Sequence, residues 1–211
     1  MNLISNLLAT LRAQPYDAIA FQVLADGLLA NGDPRGELIN LQALGDRPMA
    51  EVCVQRNARA LLGPLAAVQR DLLLDWDLGF IRRATLTLKG VPDSDRLHEP
   101  RLTTLTRQLL TLESSLFLEE LTLVVVPNAE VLRGVPGSIW NVGLYAPQSL
   151  NRLAVLPVGL LTAPRQRGQR YGWEAPDMRL RTKLPLKGRL VAVETEWTWV
   201  HDVVRTVFKS V

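Results

Sequence analysis

Acidic and histidine side chains that could carry out acid–base chemistry are few and scattered in this sequence. Asp75 and Asp77 flank Trp76. Two carboxylates that point the same way along a strand can shift each other's pKa toward acid–base work. They lie where a helix is expected to give way to a strand, so capping and turn hydrogen bonds explain them better. His201 and Asp202 are adjacent but have no companion ligands, and we expect no catalytic role for them.

Metal and thiol chemistry are equally weakly indicated. A zinc site needs converging ligands, usually His and Cys at short spacing, whereas the two histidines lie far apart and Cys53 is the only cysteine. Asp93, Asp95 and Glu99 offer oxygen ligands for a hard cation, but in a proline-flanked turn we expect them to be solvated. Cys53 has no neighbouring His and is interpreted as a small core residue. The sequence predicts neither a metal nor another cofactor.

Motifs of nucleophilic and nucleotide-dependent enzymes are absent from the sequence. It contains no G-x-S-x-G, no G-x-x-x-x-G-K-[ST] and no G-x-G-x-x-G. We therefore expect a protein without catalytic activity.

Positive charge is concentrated in the C-terminal quarter. Residues 1–160 carry 14 Lys/Arg and 16 Asp/Glu, whereas residues 161–211 carry 10 and 5. Alternation along a predicted strand gives a basic ribbon, which could bind phosphates, meet an acidic patch on a protein, or be a solvated face. The candidate nucleic-acid-binding segment 165–189 contributes Arg165, Arg167, Arg170, Tyr171, Trp173, Arg179, Arg181 and Lys183.

A second candidate contact is the alternating run V-E-T-E-W-T-W near the C-terminus. On a strand, Val193, Thr195, Trp197 and Trp199 share one face. Such tryptophans are ordinarily core, but the last repeat of a stack has no following repeat to cover it. We predict that at least one of the two tryptophans stays partly accessible in the isolated chain and anchors a partner or a homodimer.

Composition bounds the class of protein. With 211 residues, 47% hydrophobic and 21% charged, the chain is globular and can bury a sizeable core. No segment reaches the roughly 20 apolar residues of a membrane-spanning helix. The N-terminus lacks the basic start and cleavage site of a signal peptide, and a lone cysteine fits a reducing compartment. We predict a cytoplasmic protein that does not enter a membrane.

Residues 21–42 predict two short helices joined by a tight corner. Gly32 ends the first helix by adopting a left-handed conformation, Asp33 caps the second helix, and Pro34 fits its first position. Asp26 lies on the apolar side of the first helix. We expect it to pair with Arg35 or Arg59, or to bind the corner amides, with a partner contact as the alternative.

The remainder alternates between helical and strand patterns. Leu118, Leu121 and Leu123 have the L-x-x-L-x-L spacing of leucine-rich repeats, and a partial copy follows 32 residues later at Leu153. This predicts an α/β fold with a degenerate solenoid-like sheet in which each strand lies parallel to the next; the alternative is an ordinary mixed α+β sheet. Predicted helices cover residues 2–13, 49–62, 65–74, 105–112 and 197–211, and predicted strands cover 84–88, 118–126, 139–144, 150–156, 179–184 and 190–195.

Residues 17–88 resemble the bacterial repeat-companion domain, a short helical module often found ahead of leucine-rich-like repeats. The resemblance is carried by Ala25, Asp26, Gly32, Asp33, Pro34, Arg35, Gly36, Glu37, Ile39, Gln42, Leu61, Leu62, Gly63, Pro64, Leu65, Gly79, Phe80 and Ile81. Gly27 departs from the family's usual tryptophan, and Leu29 and Ala30 replace its usual acidic residues, which indicates a diverged copy. The resemblance implies no known enzyme chemistry.

Together these patterns predict a two-part protein, with a helical module over residues 1–78 and a leucine-rich-like β/α region over 79–211. We expect a non-catalytic adaptor or accessory subunit that binds another protein or a second copy of itself. Nucleic-acid binding through segment 165–189 is the alternative.

Overall fold

The structure is a computed structural model that describes residues 3–14, 17–87, 98–125, 129–157, 180–195 and 197–211. The α-helices are α1 (Leu3–Ala13), α2 (Ala18–Ala30), α3 (Pro34–Ala43), α4 (Arg47–Arg56), α5 (Ala58–Leu62), α6 (His98–Thr111), α7 (Ala129–Tyr145) and α8 (Thr198–Ser210). The strands are β1 (Leu72–Asp77), β2 (Phe80–Thr87), β3 (Glu120–Val125), β4 (Arg152–Pro157), β5 (Leu180–Leu186) and β6 (Arg189–Thr195). Two 3₁₀ helices cover Gly63–Asp71 and Glu113–Ser115.

The six strands form one mixed sheet in the order β1-β2-β3-β4-β6-β5. The four central strands are parallel, whereas β1 and β5 pair antiparallel with their neighbours at the two edges. The predicted α/β class is confirmed. Parallel stacking holds for the central strands only, because each edge strand is joined to its neighbour by a tight hairpin, which forces antiparallel pairing.

The strand spacing seen in the sequence corresponds to neighbouring strands. Ala84 pairs with Leu121, Leu121 pairs with Leu153, and Leu153 pairs with Val193. All four side chains are buried in the main hydrophobic cluster, together with the inner faces of α6, α7 and α8. The apolar positions of the central strands therefore share one face of the sheet, and these three helices cover that face.

The main cluster extends from Leu38 to Phe208 and includes residues of both predicted parts of the chain. The predicted boundary between residues 78 and 79 falls inside the two-residue turn between β1 and β2. The sheet thus begins at Leu72, ahead of that boundary.

A smaller cluster lies where α2 meets the β1–β2 hairpin. Phe21, Phe80 and Phe117 pack edge to face, with ring centroids 4.7–6.2 Å apart. The guanidinium carbons of two buried arginines, Arg35 and Arg82, lie 5.7 Å from the Phe80 ring and 5.3 Å from the Phe117 ring. Such aromatic and cation–π contacts fix the helices to the first hairpin of the sheet.

Several predicted elements are wrong. Residues 139–144 are part of α7 and not a strand, and the predicted helix 49–62 breaks at Asn57, between α4 and α5. Residues 65–74 form 3₁₀ structure followed by the start of β1. Strand β6 ends at Thr195, so Trp197 and Trp199 do not continue it. In α8, within the predicted helix 197–211, Val200, Val204 and Val207 are buried and Val203 is partly buried against them.

Within the described ranges, none of the helices combines the length and the apolar character needed to cross a membrane.

Candidate functional site

The corner between α2 and α3 has the predicted geometry. Gly32 has a φ of +71°, and the Asp33 carboxylate accepts the backbone N–H of Arg35 at 2.9 Å. The same carboxylate, together with Glu113, pairs with the buried Arg35 guanidinium. Burial alone raises the pKa of Asp33, but the hydrogen bonds and positive charge of Arg35 outweigh it and hold the pKa below the ordinary value of 3.8. The corner is a structural ion-pair site.

Close backbone approach explains Ala25 and Gly36. A Cβ atom on Gly36 would lie 2.5 Å from the carbonyl oxygen of Ala25, so α2 and α3 can meet only if this position is glycine. The next residue, Glu37, pairs with Arg56 of α4. The expected structural pairing of Asp26 is wrong: its side chain is exposed, and Arg35 pairs with Asp33 and Glu113 instead. A partner contact of Asp26 stays a prediction.

Gln42 fastens α3 to the β1–β2 hairpin. Its Nε2 donates to the carbonyl oxygen of Trp76 at 2.9 Å, and its Oε1 accepts the backbone N–H of Gly79 at 2.7 Å. Gly79 lies so close to α3 that a Cβ there would be 2.6 Å from Cγ1 of Ile39. The remaining motif residues have comparable roles: Pro34 occupies the first turn of α3, and Gly63 ends α5 with a φ of +53° ahead of Pro64.

These contacts create a groove of about 1010 Å³ beside β1. One wall is β1 itself, the edge strand of the sheet. The opposite wall is α4, including Ala50 and Val54, while Gln42 lies near one end and Gln69 also lines it. The groove therefore lies beside an edge strand of the sheet.

The backbone of β1 has polar groups that face this groove. Residues of an edge strand alternate between backbone groups bonded to the neighbouring strand and groups that point outward. The Trp76 carbonyl points outward, because it accepts a hydrogen bond from Gln42 of α3. The register with β2 shifts between Asp75 and Trp76, but the extra residue, Arg82, lies in β2, so the alternation along β1 continues. The N–H and carbonyl of Leu74 therefore point outward as well, where a further strand would bond to them.

The charged side chains on the sheet side of the groove pair with one another. Asp75 lies 3.5 Å from Arg83, and Asp77 lies 3.7 Å from Arg82, which also reaches Glu119 at 3.3 Å. Beyond these charges, the Leu73 side chain is 74% exposed at the other end of the strand. The outer face of β1 therefore presents one apolar and two acidic side chains.

The predicted basic segment is only partly within the described residues. Arg165, Arg167, Arg170, Tyr171, Trp173 and Arg179 lie outside them. Arg181 and Lys183 are exposed on one face of β5, as predicted. Arg181 pairs with the buried Glu194 at 3.3 Å, so part of the ribbon's charge is compensated within the sheet.

Two further basic residues of this segment bind backbone carbonyls at the C-terminal end of α7 and in the loop that follows it. Lys187 donates to Leu144 at 2.7 Å, and Arg189 donates to Pro147. Burial lowers the pKa of both side chains, with the charge of Arg189 adding to the effect at Lys187. Cations at the end of a helix stabilise its exposed carbonyls, so these residues have a structural task.

The two C-terminal tryptophans lie at the start of α8. Trp197 precedes the helix and is half-buried, and Trp199 in its first turn is 37% exposed; the ring centroids are 6.3 Å apart. Partial accessibility is thus as predicted, although the strand geometry assumed for it is wrong. Burial in a complex stays a prediction.

The candidate metal and nucleophilic residues do not form a site in the described part of the chain. No group of three or more His, Cys, Asp or Glu side chains converges among those residues. Asp93 and Asp95 and the side chain of Glu99 lie outside them. Cys53 is buried in the main cluster, and burial, followed by the charge of Glu37, raises the pKa of its thiol.

Sequence reasoning missed the β1 edge. Leu73, Asp75 and Asp77 alternate on one side of the strand, but the residues before them predict a helix that ends at Leu74. The sequence does not predict the hairpin because Leu78, with a φ of +46°, occupies a turn position usually taken by Asn, Asp or Gly. Its side chain packs against the phenylalanine cluster, which offsets the unfavourable backbone conformation.

Comparison of the chain with protein-family models, with curated proteins and with solved structures found no match. The resemblance to the repeat-companion domain therefore stays a prediction.

Proposed function

We propose that this chain is a non-catalytic protein-binding module that takes an extended segment of another protein as a seventh strand beside β1. The observation that carries the proposal is the outward-facing backbone of β1, which opens into the groove under α4. Edge strands bind peptides in this way because backbone hydrogen bonds supply affinity and side-chain pockets supply selectivity.

The dimensions of the groove suit one extended segment. β1 has six residues, which at about 3.4 Å per residue gives an edge about 20 Å long. A groove of about 1010 Å³ over that length is in the size range of ligand sites. The fixed hairpin favours binding, since Gln42 and Gly79 hold the strand in place before a partner arrives.

The other edge of the sheet is less suited to this task. In β5, Pro185 has no N–H to donate, and Arg181 and Lys183 carry charge along the strand. Proline and lysine on an edge are the usual means by which proteins prevent further strand addition. Strand β1 has no proline and exposes Leu73, so it is the edge that favours a partner.

The mutual pairing of the charged groups on the sheet side of the groove supports binding without catalysis, because these groups are already engaged with one another. An adaptor or accessory subunit of the cytoplasm, as the composition predicts, is the role that fits such a module best.

Selection of random peptides from a display library tests the proposal. We expect peptides selected on the wild-type protein to bind the Leu74→Pro variant at least about tenfold more weakly than they bind the wild type. The reason is that proline removes the outward N–H of β1. Lys183→Pro is the matched control, since it removes an outward N–H of the other edge and should leave affinity unchanged. Circular dichroism establishes that both variants fold.

A second readout does not depend on the variants. N-methylating alternate residues of an enriched peptide blocks the amides along one edge only. One of the two methylation patterns should abolish binding, and the other should preserve it. Equal affinity of wild type and Leu74→Pro, or equal effects of both methylation patterns, would overturn the proposal.

A further inference from the structure

The face of the sheet opposite α6–α8 carries a row of charges that alternate in sign from strand to strand. Asp75 of β1 is the register partner of Arg83 in β2, which pairs with Glu120 of β3, which pairs with Arg152 of β4. Arg152 contacts Glu120 at 3.3 Å and Glu194 of β6 at 3.0 Å. Arg181 of β5 completes the row through Glu194. Across six strands the signs run negative, positive, negative, positive, negative, positive.

The acidic end of this row is the edge strand of the groove. The side chains of Asp75 and Asp77 are 59% and 56% exposed, and each has one arginine partner at 3.5–3.7 Å on the side of β2. Their other side faces the position of an added strand. Opposite charges in cross-strand positions stabilise a sheet, so an added strand that places Lys or Arg there continues the alternation.

The residues of an added strand that do not lie beside Asp75 or Asp77 would have apolar neighbours. A residue beside Leu73 would cover a side chain that is 74% exposed. Residues at the intervening positions point to the opposite face and meet the groove wall, where Ala50, Val54 and Trp76 lie. Apolar side chains suit all of these positions.

We infer that the segment bound beside β1 belongs to a separate protein and has basic residues at two alternate positions, an apolar residue between them, and an apolar residue at the position that meets Leu73. This inference rests on the binding groove proposed above and adds the chemistry of its partner.

A second copy of the chain is a poorer occupant. Pairing β1 with the β1 of another copy would bring Asp75 and Asp77 against carboxylates, and like charges opposite each other destabilise a sheet. Strand β5 of another copy has basic residues, but its Arg181 is held by Glu194, and Pro185 cannot donate to a neighbouring strand.

Fluorescence anisotropy with two labelled peptides tests the inference. The first has the sequence Gly-Ser-Lys-Val-Lys-Val-Leu-Val-Ser-Gly, and the second has Glu in place of both Lys. At low ionic strength we expect the basic peptide to bind about tenfold more tightly than the acidic one, with a difference that shrinks as salt is added. The double variant Asp75→Lys/Asp77→Lys should reverse the preference. Asp26→Lys, a charge reversal at an exposed position outside the groove, should not.

A milder variant keeps the test valid if the charge-reversed variant does not fold. Asp75→Asn/Asp77→Asn adds no charge beside Arg82 and Arg83, and it should bring the affinities of the two peptides to within about twofold of each other. Equal affinity of wild type for both peptides, or a preference that the asparagine variant leaves unchanged, overturns the inference while leaving the groove a peptide site. Concentration-dependent self-association that Leu74→Pro abolishes would also overturn it, by making the second copy the occupant. Failure of the proposed function is a different result: no library peptide would then depend on the β1 edge.

Discussion

At the scale of single residues, the corner between α2 and α3 concentrates several tasks on few side chains. Asp33 caps α3 and neutralises a buried guanidinium, while Gly32 turns the chain in a conformation that other residues adopt with difficulty. Two variants separate these tasks.

Gly32→Val is expected to destabilise the protein by more than about 1 kcal/mol. A Cβ atom at this position meets nothing within 4 Å, so the whole cost comes from the positive φ and not from a clash. Chemical denaturation measures it. An unchanged denaturation midpoint would contradict the assigned corner conformation.

Asp33→Ala is expected to cost about 0.5–2 kcal/mol for the lost cap and more for the unpaired Arg35. Asp33→Asn keeps an acceptor for the cap and should cost less. Because folding lowers the pKa of Asp33, its ionic contribution is complete above pH 3.8 and is lost as the pH falls through the folded-state pKa. The stability difference between wild type and Asp33→Asn should therefore shrink below pH 3.8. A difference that stays constant in acid would show that the charge contributes nothing.

At the scale of elements, the decisive contact is the one between α3 and the β1–β2 hairpin. Gly79 and Gly188 make a matched pair of turn glycines, with φ values of +78° and +79°. A Cβ at Gly79 would meet Ile39 and the Arg35 carbonyl within 3 Å, whereas at Gly188 it would meet nothing within 4 Å.

Gly188→Ala is therefore expected to lower the free energy of unfolding by about 1 kcal/mol, because of backbone strain alone. Gly79→Ala should lower it by about 1–3 kcal/mol more, because α3 must also move away from the hairpin. Equilibrium denaturation of the two variants gives the difference directly. Equal costs would mean that α3 does not constrain the hairpin.

Most of the central sheet could be predicted from the sequence, because its strands alternate or run apolar and recur at a regular interval. Segment 139–144 is predicted as a strand, and Pro136, Gly137 and Gly143 do disfavour the helix that the structure has there. Packing overrides that preference: Gly137 lies against Thr103 of α6, and Gly143 lies against Val207 of α8. The β1 groove forms because α4 lies beside an edge strand that is distant from it in sequence. No local sequence pattern predicts such an arrangement.

At the scale of the whole molecule, the positive charge of the C-terminal quarter is not a uniform surface. Arg181 is paired with Glu194, and Lys187 and Arg189 bind carbonyls at the end of α7 and in the loop after it. The charges that remain available for a polyanion within the described residues are correspondingly few.

We therefore expect no saturable binding of a labelled mixed-sequence oligonucleotide at low ionic strength. The nucleic-acid alternative predicts tight binding that weakens steeply with salt and is lost when Arg165, Arg167, Arg170, Arg179, Arg181 and Lys183 are changed to Ser. That outcome, with folding intact, would replace peptide binding as the proposed function.

The central claim is that β1 has an open backbone edge that a partner strand occupies. Amide hydrogen exchange followed residue by residue tests it most directly. In the free protein the Leu74 amide should exchange much faster than those of Leu73 and Asp75, which face β2, and saturation with the basic peptide should protect it strongly. A Leu74 amide that is already protected in the free protein, or that the bound peptide leaves unprotected, would contradict the claim.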